Sequence, residues 1–285
     1  MLRYFQLIWL IAKHGQLKSG TENVNYTRDK SLQNFQEFIP IGKKLTTPQP
    51  AYKTRLQNLI GQAAFLKNSF KTTGGHLTAH DLGYIRIPKS ASTSMSKAML
   101  ERKYPTLQGK PITDSQINFL TDVNLTSKID TSTLFMIVRN PFARIVSVYR
   151  DFFENENAPF IYNDYLFGVL PKKISFGEFV TRVSRIPDRL KDQHLRPQHT
   201  FLRFYRKRNV SVKILKLEEP GLFTFLSGNS LQLPHLNKSS EDYDYGSYYD
   251  LAILNKVHQL YAADIQEFGY QKEHHQLEKR LKTVH

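Results

Sequence analysis

The stretch FMIVRNPFARIVSVYR, residues 135–150, reads as a strand, a tight connection and a helix in immediate succession. The continuous apolar run Leu134–Val138 is typical of a parallel strand that is covered on both faces. Asn140 is a residue type that caps helix N-termini, and Pro141 suits the first helical position. The sequence therefore predicts a β-loop-α unit with Arg139 at the carboxyl end of its strand.

The helix of this unit carries an apolar stripe at helical spacing, which predicts its buried face. The residues of the stripe are Phe142, Ile145, Val146, Tyr149, Phe152 and Phe153. Arg144, Ser147 and Asp151 fall on the opposite side. We expect that polar side to be free to meet a ligand.

Further units on both sides of this stretch follow the same alternation. Upstream, a strand is predicted over Tyr84–Ile87 and a helix over Ser92–Lys103; downstream, Val212–Leu217 reads as a strand and Tyr249–Phe268 as a long helix ended by Gly269. Strands that alternate with helices predict an α/β fold with a central parallel sheet flanked by helices. Ligands of such sheets bind beyond the carboxyl ends of the strands.

Composition narrows the class of partner. The 285 residues include 40 Lys plus Arg against 25 Asp plus Glu, a formal charge of +15, which favours anionic partners without choosing among them. The absence of cysteine excludes disulfides and thiolate chemistry and, with the short apolar run Leu7–Ala12, favours a cytoplasmic location. No HExxH, Cys/His cluster or EF-hand spacing occurs, so we predict no metal.

The segment IPKSASTS, residues 87–94, places one lysine and four hydroxyl side chains between a strand and a helix N-terminus. Free amide protons and the helix dipole attract anions at such a position. The segment lacks the G-x-x-x-x-G-K-[ST] pattern, which disfavours an ordinary nucleoside triphosphatase or kinase. The alternative is a serine-rich helix cap with a solvated lysine.

A second candidate phosphate site combines Arg139 and Ser147. A guanidinium at a strand end and a hydroxyl eight residues on, from the following helix, are suitable groups to converge on a phosphate. The alternative is an arginine that closes the sheet edge and a serine that faces water.

Together the two motifs resemble the PAPS-dependent sulfotransferases, particularly the membrane-type carbohydrate sulfotransferases that include the chondroitin and HNK-1 enzymes. In that family a Pro-Lys loop binds the 5′-phosphosulfate and an Arg-x-Pro-x-x-Arg-x-x-Ser segment binds the 3′-phosphate. The resemblance implies that Arg139 and Ser147 bind the 3′-phosphate and that Arg144 positions them. It also implies that the 5′-phosphosulfate is bound by the loop residues Pro88, Lys89, Ser90, Ala91, Ser92, Thr93 and Ser94.

The resemblance spans about residues 83–270 and implies the sulfotransferase fold, a P-loop-like, three-layer α/β arrangement with a central parallel sheet. Gln193–Gln198 is similar to the family's His-Trp-x-Pro segment, with Leu195 in place of Trp, and Tyr261–Tyr270 is similar to its C-terminal helix. Golgi members of the family carry a membrane anchor and cysteines, and neither is evident here. We therefore expect a soluble, cytoplasmic and bacterial version, with a sulfotransferase domain at 76–272, a helical or linker region at 1–75 and a charged tail at 273–285.

The resemblance implies a sulfotransferase that moves a sulfuryl group from PAPS to a hydroxyl of a carbohydrate by in-line displacement. Lys89 would neutralise charge on the departing 5′-phosphate. His194 is our first candidate for the base that takes the acceptor proton, and Asp114 is the second. A structural histidine bonded to backbone is the alternative for His194.

The acceptor is expected to be a carbohydrate or glycan, and the basic charge would suit an anionic one. A basic cluster could hold it: Arg182, Arg185, Arg189, Lys191 and Arg196. More often such a run is a solvated face. The rival interpretation of the whole chain is a non-catalytic, basic polyanion-binding protein; no nucleic-acid reader motif is recognisable, so no nucleic-acid partner is expected.

Overall fold

A computed structural model describes residues 76–110, 133–155, 168–233 and 244–283. Its central sheet has four strands in the order β1, β2, β3, β5. Their bounds are β1 His76–Ala79, β2 Leu82–Ile85, β3 Thr133–Val138 and β5 Lys213–Lys216, and a separate two-residue strand, β4, spans Leu170–Pro171.

Strand directions confirm the predicted α/β class. β2 pairs with β3 and β3 with β5 in parallel, with Tyr84 opposite Phe135 and Met136 opposite Ile214. β1 was not predicted; it pairs antiparallel with β2 at the edge of the sheet. Only a tight turn, with His80 at φ 54°, separates these two strands, and antiparallel strands are the kind that so short a connection can join.

The helices, in chain order, are α1 Ser92–Lys103, α2 Pro141–Tyr149, α3 Phe176–Ser184, α4 Arg203–Arg206, α5 Pro220–Gly228, α6 Leu251–Leu260, α7 Ala262–Phe268 and α8 Gln271–Thr283. They cover both faces of the sheet. Along β3, Leu134, Met136 and Val138 join the core that contains α2, α3 and α6. Phe135 and Ile137 join the core that contains α1 and α5. Three layers result, as the continuous apolar run predicts.

Two predicted helices differ from the observed ones. The long helix expected over 249–268 breaks at Tyr261, which leaves helical geometry at φ −120° and whose buried hydroxyl donates to the carbonyl of Leu195. The helix expected to run through Phe153 stays α-helical only to Tyr149 and continues as a π-helical turn, Arg150–Glu154. Such wide turns re-aim the side chains that follow them and are frequent at functional sites.

Candidate active site

The loop between β2 and α1 has an unusual backbone. The N–H of Ser90 donates to the carbonyl of Ile87 across a turn with Pro88 in its second position and Lys89, at φ 66°, in its third. This arrangement is typical of a type II turn, in which glycine normally takes the third position. Ala91 is also left-handed, at φ 56°. Two non-glycine residues with positive φ within three positions are a strain that folds retain mainly at functional sites.

The N-terminus of α1 follows directly from this loop. Ala91 stands at the capping position, no side chain caps the helix, and its first turn has no acidic residue. The first backbone bond of the helix runs from the N–H of Met95 to the carbonyl of Ala91. The preceding amides therefore have no partner within the helix, and they point along its positive end. Thr93 is exposed there and Ser94 half-buried.

The serines of the loop differ in orientation. Ser90 is fully buried, and its hydroxyl donates to Oε1 of Gln198 at 3.3 Å. Ser92 is also buried. The sequence suggested four equivalent hydroxyl ligands, but the structure directs that of Ser90 to the protein interior.

Arg139 brings the second motif to this loop. It follows the last residue of β3, and its guanidinium donates to the carbonyl of Lys89 at 3.2 Å. Asn140 caps α2 as predicted, because its Oδ1 accepts from the N–H of Phe142 at 2.9 Å. Within α2, Ser147 is the one residue that is not buried. The two predicted anion-binding segments thus meet at the carboxyl edge of the sheet.

Arg144 lies in a different place from the one that periodicity predicts. The sequence put it on the polar face of α2, but it is buried, with 2 % of its surface exposed. Its guanidinium donates to the carbonyls of Pro88, Arg196 and Gln193 at 3.0, 2.9 and 3.1 Å. Burial lowers its pKa, and the three carbonyls compensate for the lost hydration. Arg144 therefore fixes the backbone of two site segments from behind.

The side chain of Lys89 lies against the π-helical turn after α2. Its amine forms an ion pair with Asp151 and lies 4.4 Å from the centroid of the Phe152 ring. The ring of His194 packs edge-on against the same Phe152, with centroids 4.8 Å apart. Phe152 thus contacts both residues for which the sequence suggested catalytic roles. Sequence reasoning missed it, because it counted Phe152 with the buried stripe.

His194 is backed by a buried carboxylate. The backbone N–H of His194 donates to Oδ1 of Asp192 at 2.8 Å, and the ring Nδ1 lies 3.4 Å from Oδ2. Burial lowers the pKa of His194 against the opposing effect of Asp192. Burial opposes ionisation of Asp192, but the charge and hydrogen bonds of His194 outweigh it and leave its pKa below the ordinary value. At neutral pH the pair is therefore a neutral imidazole beside a carboxylate, an arrangement that leaves Nε2 able to accept a proton.

The segment that carries His194 is attached to α7. Asp264, fully buried, accepts from the N–H of Gln198 at 2.6 Å and from that of His199 at 2.8 Å. Its Oδ1 also lies 2.7 Å from Nδ1 of His199. Asp264 and Gln198 lie in the two segments that resembled the family's later motifs, but no pattern in the sequence indicated that they contact each other.

The predicted basic cluster is not one exposed surface. Lys191 is buried, with its amine 2.7 Å from Oδ1 of Asp188. Arg196 is also buried, and its Nε donates to the carbonyl of Lys191. Arg182 pairs with Glu178 on α3. The side chain of Arg189 and the second base candidate, Asp114, lie outside the described residues.

The described residues include neither a cluster of metal ligands nor a membrane-spanning helix. No group of three or more metal-ligating side chains occurs among them. None of the described helices combines the length and the apolar character that crossing a bilayer requires.

One of three comparisons with known proteins identifies a family for this chain. A search of curated proteins gave no match. A search of solved structures gave none either. The model of the sulfotransferase family, however, matches residues 77–271, well over half of the chain, including strands β2, β3 and β5 and both loops. The chain therefore belongs to the sulfotransferase family, specifically sulfotransferase family 2, whose members are enzymes that transfer sulfate.

Proposed function

We propose that this protein transfers a sulfuryl group from PAPS to a hydroxyl of a carbohydrate acceptor. The observation that carries the proposal is the meeting of an uncapped helix N-terminus, Lys89 and Arg139 at the carboxyl ends of the parallel strands β2 and β3. PAPS has phosphate groups at both ends of its ribose, so a donor site needs two separate anion-binding segments close together. A cytoplasmic location stays a prediction from the sequence.

In this proposal the loop Pro88–Ser94 binds the 5′-phosphosulfate, and Arg139 with Ser147 binds the 3′-phosphate. The S–O bond to the 5′-phosphate breaks as the acceptor oxygen bonds to sulfur. Negative charge then grows on the phosphate, where Lys89 and the positive end of α1 stabilise it. Before the donor binds, the amine of Lys89 is held by its ion pair with Asp151.

The acceptor hydroxyl must lose its proton in the same step. We assign that proton to Nε2 of His194, whose lowered pKa keeps the imidazole neutral at pH 7. Asp192 orients the ring through Nδ1 and stabilises the cation that forms. Asp114 stays the alternative base.

The carbohydrate acceptor rests on the resemblance to the carbohydrate sulfotransferases and on the charge of +15. Non-catalytic polyanion binding is the second candidate function. It is favoured by the exposed cations of α4 and the turn that follows, Arg203, Arg206, Lys207 and Arg208. The two functions make different predictions for a small nucleotide.

The test is a calorimetric titration with PAP, the desulfated product, and with ATP, both without magnesium. We expect PAP to bind in preference to ATP, and Arg139→Ala to abolish that preference. The control is Arg203→Ala, which removes an exposed arginine of α4 and should leave PAP binding unchanged. Absence of PAP binding, with salt-dependent binding of heparin that Arg203→Ala weakens, would overturn the proposal in favour of polyanion binding.

A further inference from the structure

We propose that Gln198 is a positioning residue that couples the two anion-binding segments, so that both phosphates of the donor are bound as one unit. The inference rests on the proposed function, because it concerns how the same donor site is held together. It adds a residue outside both motifs to the machinery of donor binding.

Hydrogen bonds of the Gln198 side chain reach both segments at once. Its Oε1 accepts from the hydroxyl of Ser90 at 3.3 Å and from the N–H of Arg139 at 3.0 Å. Its Nε2 donates to the carbonyl of Arg139 at 2.8 Å. The side chain is fully buried, so water does not substitute for these bonds. One amide thus joins the β2-α1 loop to the β3-α2 loop.

An amide is the group that these contacts require. The same side chain must accept two hydrogen bonds and donate a third, and among side chains of this length only glutamine does both without a charge. A glutamate would accept the first two bonds but turn an oxygen toward the carbonyl of Arg139. A methionine would fill the space and make none of them.

The backbone of Gln198 is itself held by a third element. Its N–H donates to Oδ2 of the buried Asp264 in α7, at 2.6 Å. Gln198 is therefore a fixed point to which both loops are attached. By contrast, the direct bond from Arg139 to the carbonyl of Lys89 involves a half-buried side chain that the proposed function also assigns to the ligand.

This arrangement has a consequence for affinity. When two binding segments are held at a fixed separation, a ligand that engages one is presented to the other at high effective concentration. The binding advantage of a nucleotide with two phosphates over one with a single phosphate depends on that separation. Without Gln198 each segment keeps its own ligand groups, but the advantage of binding both together falls.

The experiment compares PAP with 5′-AMP and adenosine 3′-phosphate by calorimetry, in wild type, Gln198→Met and Gln198→Glu. We expect the ratio of PAP affinity to 5′-AMP affinity to fall about tenfold in Gln198→Met, a change of about 1.4 kcal/mol. Affinity for each single-phosphate nucleotide should change much less. Gln276→Met, at an exposed position of α8, is the matched control and should leave the ratio unchanged.

Gln198→Glu keeps the shape of the side chain and guards against a folding defect in Gln198→Met. The ratio of PAP affinity to 5′-AMP affinity in Gln198→Glu should also fall at pH 7.5. As the pH is lowered, the buried carboxyl takes up a proton and can donate again, so the ratio should recover toward that of the wild type at the same pH. A purely structural role lowers the affinity of all three nucleotides by one factor, so an unchanged ratio in both variants overturns the inference. Failure of the wild type to bind PAP overturns the proposed function, and the inference with it.

Discussion

The first turns of α1 and α2 lie at the same edge of the sheet, after two neighbouring parallel strands, yet they are completed in different ways. Asn140 caps α2 through its side chain, and Pro141 takes the position where an amide proton would lack a partner. α1 starts from a left-handed Ala91 and has no side-chain cap. The protein satisfies the start of α2 with its own side chain, and in the proposed function the donor binds at the uncapped start of α1.

The charged groups near the starts of the two helices also differ. The N–H of Asn140 donates to Oε1 of Glu218 at 2.7 Å, and the hydroxyl of Tyr270 donates to the other carboxyl oxygen. Burial raises the pKa of Glu218 against these bonds. α2 therefore begins beside a built-in acidic group, whereas α1 begins beside Lys89 and has no acidic residue in its first turn. The difference teaches that two similar β-loop-α units can begin differently: a side chain of the protein caps α2, and in the proposed function the 5′-phosphosulfate of the donor binds at the start of α1.

The largest expected effect is the loss of the proposed base, His194. His194→Gln should lower kcat by about 10²–10⁴-fold, the range for general base catalysis, and remove the acidic limb of the pH-rate profile. Because burial lowers the pKa of His194, that limb in the wild type should lie below the ordinary value of about 6.5. His275→Gln, on the exposed side of α8, is the control. A variant that keeps the limb would remove His194 from the role and leave Asp114.

The same substitution has a stability readout with a definite sign. As pH falls, a histidine whose pKa is lowered in the folded protein takes up its proton at a higher pH in the unfolded chain than in the folded one. The wild type should therefore lose stability as pH falls from about 6.5 through the lower folded pKa, and His194→Gln should lose less over that window. Urea unfolding at several pH values measures this difference.

Lys89→Ala should have the next largest effect, a loss of about 10²–10³-fold in kcat, the range for removing one group that stabilises transition-state charge. The affinity for PAP should fall less, because the amides of α1 and Arg139 stay in place. Lys97→Ala, which removes an amine paired with Glu101 on the outer part of α1, is the matched control. Steady-state kinetics measure both, and an unchanged kcat in Lys89→Ala would contradict the assigned role.

Thr93→Asp would give α1 the acidic group that α2 already has nearby. A carboxylate in the first turn interacts favourably with the helix dipole, so stability should stay equal or rise by up to about 1 kcal/mol. The same charge repels the donor, and we expect PAP affinity to fall about tenfold, as about 1.4 kcal/mol of repulsion gives. Thr224→Asp on the exposed face of α5 controls for the added charge. Equal PAP affinity in both variants would contradict an anion site at α1.

Asn140→Ala tests the other side of the comparison and should have the smallest effect on function. Loss of the cap should reduce the free energy of unfolding by about 1–2 kcal/mol. PAP affinity should change little, because Arg139 is still held by Gln198. Ser175→Ala removes a side-chain cap from α3 and serves as the comparison for stability alone. A large loss of PAP binding in Asn140→Ala only would show that the capped start of α2 is itself needed for donor binding.

Local patterns in the sequence predicted much of the fold. The apolar run of β3, the cap at Asn140 and the end of α7 at Gly269, which has φ 69°, all depend on residues within one turn of each other. The positions of Lys89 and Arg139 at strand ends followed from the same local patterns. The candidate anion-binding residues of the two loops could be identified from the sequence for that reason.

Contacts between distant segments were not predictable in this way. Periodicity placed Arg144 on a polar face because it counts apolar neighbours, and it cannot register three carbonyls more than 45 residues away. The pairing of Lys89 with Asp151 likewise depends on the π-helical turn that re-aims the chain after Tyr149.

The sequence alone indicated that two anion-attracting segments each follow a strand, since strand pattern, capping residues and residue type are local properties. Only the tertiary structure decided that these strands are neighbours, and which of the candidate hydroxyls and cations turn inward and hold the site together. Ser90 and Arg144 turn inward because buried partners, Gln198 and the backbone carbonyls, satisfy them there. The physical reason is that a buried polar group is stable only where its partners are, and those partners come from distant parts of the chain.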